Sequence, residues 1–189
     1  GIGNAIALDL LEKGYRVGIG YHKNKSMAQE IAENNSQALP LNIDITSEKS
    51  IQKAFNEIET NFGTIDVLIN NAGISQVKSF ESLQDEDWQI MWETNFMSAV
   101  RCIKLALPAM IKKGGGRIVN IASIGGQWGG VHQIHYAASK AALINLTKSI
   151  AKSYSKEGIC CNAVSPGLIN TDMIADELKK TDSNKLKNI

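Results

Sequence analysis

The sequence predicts an α/β domain, an open parallel sheet with helices on both faces. Three observations predict it. Short runs rich in β-branched residues alternate with helical patterns along the chain. Asn70, Ser123 and Pro166 all fall at the carboxyl ends of strand-like runs, the edge where sheets of this kind bind ligands. No repeat, linker or composition shift divides the chain, so residues 1–189 read as a single domain.

Composition narrows the partners. The net charge is +1, with no run of like charge that would suit nucleic acid or a membrane surface. No apolar run approaches the roughly 20 residues of a membrane helix. Three cysteines, two of them adjacent at Cys160 and Cys161, offer neither a disulfide framework nor metal-ligand spacing, so no metal is expected and a reducing, cytoplasmic setting is the simplest reading.

The elements follow in order. Gly1-Ile2-Gly3 passes directly into a helix over 4–13, closed by Gly14; 15–21 reads as a strand. A helix over 26–34 with Ser26 as its cap precedes a strand over 37–43. The next helix, 47–61, carries Ile51, Ala54, Phe55 and Ile58 at helical spacing behind Ser47. A strand over 65–70 runs into Asn70-Asn71-Ala72-Gly73, residues that hold a tight turn and leave room for a ligand. A long amphipathic segment over 85–112, interrupted late by Pro108, leads to a buried strand over 117–122. A glycine-rich loop follows, then a helix from Ile134 to about Glu157, closed by Gly158. The strand 159–164 points Cys160 and Cys161 to opposite faces. A short helix over 172–178 and a charged lid over 178–189 complete the reading. Trp88 and Trp92, one helical turn apart, are expected to be packing or interface residues rather than cofactor contacts.

The stretch from Ser123 to Lys140 carries the chemistry. Tyr136 and Lys140 stand at i and i+4, so phenol and ammonium rise from one helix face. A phenol titrates near ~10, but a cation about 4 Å away at an effective dielectric of ~20 contributes roughly 4 kcal/mol, enough to make it a proton shuttle near neutral pH. A serine hydroxyl beside it could hydrogen-bond an oxygen on which charge develops. On spacing alone the same pair could equally be a solvated helix face.

With Tyr136 thirteen residues beyond Ser123, and with the tetrapeptide Asn70-Asn71-Ala72-Gly73, the chain resembles the short-chain dehydrogenase/reductase family over essentially its whole length. The resemblance implies a Rossmann-type doubly wound sheet, with the family's first and last strands missing from this chain. Gly1 and Gly3, with Ile2 between them, match only the last two glycines of the family's pyrophosphate turn. It implies catalytic roles for Asn95, Ser123, Tyr136 and Lys140. It places cofactor contacts at Gly1, Ile2, Gly3, Tyr21, His22, Lys23, Asp44, Ile45, Asn71, Ala72, Gly73, Tyr136, Lys140, Pro166, Gly167, Ile169 and Thr171.

Tyr21 stands where NAD-preferring members carry an acid, and His22, Lys23 and Lys25 follow, so NADPH is favoured over NADH. The alternative is an ordinary solvated loop. Asp44 could likewise be a polar strand end, and Thr171 the cap of the next helix.

Within the family, the run 21–25, Gln133-x-x-Tyr136 and the segment 166–173 are similar to reductases of 3-oxoacyl thioesters carried by acyl carrier protein or coenzyme A. His135 departs from the Asn usual before the tyrosine, and Trp128 adds a bulky ring to the substrate loop. Reduction of a sugar, steroid or small ketone stays open, as does a non-catalytic dinucleotide-binding protein. The resemblance also implies a homo-tetramer or homo-dimer built on the two long helices.

Overall fold

The computed structural model describes residues 1–171; the expected helix over 172–178 and the lid over 178–189 lie outside the described residues. The chain alternates as expected: α1 (Ile2–Glu12), β1 (Val17–Tyr21), α2 (Lys25–Glu33), β2 (Ala38–Asn42), α3 (Glu48–Phe62), β3 (Val67–Asn70) and α4 (Asp85–Trp92). A π-helical turn (Glu93–Met97), α5 (Ser98–Lys113), β4 (Gly116–Ile121), α6 (Gly125–Trp128), α7 (Ile134–Tyr154) and β5 (Ile159–Val164) follow. No helix among the described residues is long and apolar enough to cross a membrane.

All strand pairings are parallel, because each strand is followed by a crossover helix rather than a hairpin. They form two sheets, β1-β2 and β3-β4-β5. Within each sheet the neighbours match runs of the doubly wound order 3-2-1-4-5-6, β1-β2 as its 2-3 pair and β3-β4-β5 as its 4-5-6 run. The registers Val67↔Arg117 and Gly116↔Ile159 bring the carboxyl ends of β3, β4 and β5 to one edge.

The core sits between α3, α5 and the three-stranded sheet, where Ile51, Phe55, Cys102, Ile103, Ala106, Met110, Ile118, Ile159 and Cys161 form one buried cluster. These residues recur at helical spacing on α3 and α5 and at alternate positions on β5, so burial of one stripe per element fixes the layers. As expected, Cys161 is buried in it while Cys160 is exposed.

Several boundaries differ. Ser47 caps α3, accepting from the Ser50 amide, but α2 starts one residue before Ser26 with Asn24 as its N-cap. Pro108 lies inside α5 without breaking it; the interruption of the long segment falls earlier, at the π turn. The loop after Ser123 is partly helical, because Ile124 and Gly125 carbonyls accept the Trp128 and Gly129 amides.

Candidate active site

β4 ends at Ile121 and delivers Ser123 to the sheet's carboxyl edge, where its Oγ accepts the Gly125 amide at 3.1 Å and starts α6. Gly126 seats α6 against α7: a Cβ there would lie 2.7 Å from the Lys140 carbonyl carbon, so only glycine permits this approach. The short helix is further tied to the segment after β5 by Ile124 N–H to Pro166 O at 3.0 Å and Gln127 Nε2 to Ser165 Oγ at 3.3 Å. The serine and the phenol-bearing helix are therefore held in fixed relation.

Tyr136 stands in the first turn of α7, with its hydroxyl near enough to the Ser123 side chain for the serine hydroxyl to favour the phenolate. Lys140, one turn on, is only 4% exposed; its Nζ donates to the Ile121 carbonyl at 2.8 Å and lies 5.8 Å from the centre of the Tyr136 ring. Burial lowers the lysine's pKa to about 8. The phenol is pushed up, by burial first, with the Ser123 hydrogen bond opposing. The sequence expectation of a phenol acidified directly by its neighbour is thus corrected: the ammonium is anchored to the strand end, and at the tyrosine burial outweighs the Ser123 hydroxyl, the cause that lowers its pKa.

Asn95 braces this group from the π turn. It is 1% exposed, accepts the Ile74 amide at 2.8 Å and donates to the Ile74 carbonyl at 2.9 Å, with Ser139 Oγ at 3.1 Å. Ser139 in turn donates to the Tyr136 carbonyl at 2.7 Å. An i→i+5 turn widens the helix where Asn95 stands, giving its amide both faces of a backbone unit to pair with. Ser139 lies unmarked among alanines, and nothing in its residue type distinguished it from packing.

The expected cofactor residues gather around the same edge. A Cβ on Gly3 would lie 2.6 Å from Asn71 Nδ2, one on Gly1 would lie 3.8 Å from Thr171, and one on Gly73 would meet Asn95 Oδ1 at 3.0 Å and Lys140 Nζ at 3.3 Å. These three glycines mark a track along the edge from the start of α1 to the lysine, on which the side chains of Asn71, Asn95 and Lys140 pack directly against backbone. The first turn of α1 has no acidic residue and no side-chain cap, so its amides are available to an anion. This track fits the pyrophosphate and ribose of a dinucleotide.

Tyr21 closes β1, His22 and Lys23 are exposed beyond it, and His22 lies close enough to Asp44 to favour its ionised form. Asp44 Oδ1 accepts the Thr46 amide and hydroxyl at 2.9 and 2.7 Å, bonds that hold its carboxyl below the usual range. Ile45 packs against the core, which leaves its backbone alone to face a ligand. Ile2 is half-buried at the head of α1, Ala72 follows Asn71, and Gly167 and exposed Ile169 lie between the Pro166 tie and Thr171. Among the described residues no group of three or more His, Cys, Asp or Glu is placed to hold a metal ion.

Known proteins share this arrangement of elements. The family model described as short chain dehydrogenase matches residues 1–182. The chain is 35% identical over 187 residues to 3-oxoacyl-[acyl-carrier-protein] reductase FabG of Staphylococcus aureus, covering 95% of this chain and 76% of the relative. It is 41% identical over 176 residues to the FabG of Escherichia coli (92% and 71% covered), and 40% identical over 186 residues to carbonyl reductase family member 4 of Xenopus laevis (98% and 78% covered). Among solved structures, a Bacillus thuringiensis protein provisionally named a 3-oxoacyl-reductase superposes with a TM-score of 0.84 at 28% identity, covering 100% of this chain and 79% of the other.

Proposed function

The chain belongs to the short-chain dehydrogenase family, and from that premise we propose that it is an NADPH-dependent reductase of 3-oxoacyl thioesters linked to acyl carrier protein or coenzyme A. One observation carries the reading: Tyr136 faces the Ser123 hydroxyl while Lys140, buried one turn behind it, is fastened to the Ile121 carbonyl at the same sheet edge.

A bound nicotinamide would supply the hydride. Ser123 orients the carbonyl oxygen, and Tyr136 gives its proton to that oxygen as negative charge develops on it. Lys140 holds a positive charge behind the phenol, so the tyrosinate that remains is formed beside a cation rather than alone in a buried site. Asn95 fixes the backbone of Ile74 opposite and, through Ser139, the backbone of Tyr136, so both walls of the site keep their spacing. The exposed His22 and Lys23, with no acid at Tyr21, would suit a 2′-phosphate, which supports NADPH over NADH.

The names of the bacterial relatives support the thioester class. The same reading expects a homo-tetramer or homo-dimer in the cytoplasm. The test is Tyr136→Phe assayed with acetoacetyl-CoA and NADPH. The variant should lose at least about a thousandfold in kcat while still binding NADPH, and retained turnover would remove the assigned role.

A further inference from the structure

Three elements meet at the residue before Tyr136. His135 is 1% exposed, stands edge-on to Trp88 of α4 with ring centres 6.0 Å apart, and holds Nε2 at 3.1 Å from Gln76 Oε1. Asp87, next to Trp88 on α4, pairs with Lys78 Nζ at 2.6 Å. The Gln76 atom that faces the ring is its carbonyl oxygen, which only accepts. The imidazole must then carry its proton on Nε2, and Nδ1 is left as a buried acceptor without a partner among the described residues.

The first turn of α7 depends on such a tether. Its first amide to reach the N-cap carbonyl is that of Ala137, at 2.9 Å, so Ile134, His135 and Tyr136 precede the intrahelical hydrogen bonds. The side chain of the N-cap residue, Gln133, reaches across to Ser75 Oγ at 3.2 Å instead of capping the helix. The Lys78 amide meets the His132 carbonyl at 2.8 Å, and His132 has a positive φ of 57°. The turn bearing the phenol is thus held from outside, by the 74–78 segment and α4.

We infer that His135 is a positioning residue for Tyr136: its hydrogen bond to Gln76 and its edge contact with Trp88 fix the first turn of α7 and, with it, the direction of the phenol. The inference rests on the proton-transfer role given to Tyr136 above. The charged groups facing the ring among the described residues are Asp87 on α4, which favours a second proton, and Lys78 on the 74–78 segment, which opposes it. Burial outweighs both and holds the imidazole below its ordinary 6.5. A proton on Nδ1 would be buried without an acceptor, so the tether is intact above pH 6.5 and weakens as the pH falls below it.

The test is a cycle of His135→Leu, Gln76→Leu and the double variant, with His135→Asn as the conservative replacement that keeps a donor for Gln76. With acetoacetyl-CoA and NADPH, each leucine variant should lower kcat roughly tenfold, with KM for NADPH within about twofold, and the double variant should be no worse than either single one. His135→Asn should restore most of kcat and remove the acid limb of its pH profile. In the cofactor-free protein with labelled tyrosine, the Tyr136 ring resonance should move in both leucine variants. Unchanged kcat in both variants, or additive losses, would overturn the inference, and an unmoved Tyr136 resonance would do so even without turnover. If Tyr136→Phe turns over normally, the reaction proposed above fails instead, a result separable from failure at His135.

Discussion

Lys140 Nζ donates to the Ile121 carbonyl at 2.8 Å, so the cation of α7 is fastened to the end of β4 and meets Tyr136 across 5.8 Å to the ring centre. Reduction requires a protonated phenol and a protonated lysine together. Of the two the lysine loses its proton first, since burial brings it to about 8 while burial raises the phenol. The proposed reductase should therefore show kcat/KM for reduction falling as pH rises through about 8. A profile flat to pH 10 would mean that Lys140 keeps its proton in the working enzyme.

The same burial has a consequence for stability. A base whose folded pKa is depressed binds fewer protons in the folded than in the unfolded state between the two values, here about 8 and 10.5. The cost of burying the charged form is thus complete below about 8 and fades as pH rises toward 10.5. Lys140→Met removes that cost at every pH. Urea unfolding at pH 7.5 and pH 10 should show wild type gaining on the variant by up to about 3 kcal/mol between them. An unchanged difference would refute the buried cation.

Much of this site could be read from the chain because its members are set by short-range spacing. Tyr136 and Lys140 share a face through the i,i+4 geometry of one helix, and Ser123 lies at the end of an apolar run that could only be a buried strand. The partners were harder to see. Ser139, Gln76 and the Ile121 carbonyl act through pairings 19 to 59 residues apart, which no local pattern records. The direction of the phenol's shift failed for a related reason: spacing places a cation near a tyrosine but does not say how much water each loses. The split between β1-β2 and β3-β4-β5 follows from hydrogen bonding between strands, which runs of β-branched residues cannot report.

Asn95 should prove structural as well as functional. Asn95→Ala would leave both the amide and the carbonyl of Ile74 without their side-chain partner, in a site where the asparagine is 1% exposed. We expect a loss of about 2–4 kcal/mol in stability. The kcat for reduction should fall along with it, because the wall opposite Tyr136 loses its brace. Denaturant unfolding and steady-state kinetics on the same preparation check both, and full stability in the variant would deny the bracing role.

A second polar column supports the edge from below. Thr147 Oγ1 donates to the Leu143 carbonyl at 2.7 Å and accepts Asn120 Nδ2 at 2.8 Å, while Asn120 Oδ1 accepts Asn70 Nδ2 at 2.8 Å. Asn120 is fully buried, so its amide cannot turn to water if a partner is removed. Thr147→Val keeps the shape of the side chain and removes the acceptor, leaving Cys161 Sγ at 3.9 Å as a weak substitute. The variant should lose about 1–3 kcal/mol, and Thr147→Ser, which restores the oxygen, should recover most of it. Because the column ends at Asn70, just ahead of the Asn71–Gly73 track, Thr147→Val should also weaken NADPH binding although Thr147 lies outside the track itself. Equal stability and equal NADPH affinity in the valine variant would show that the track is held by its own backbone and owes nothing to α7.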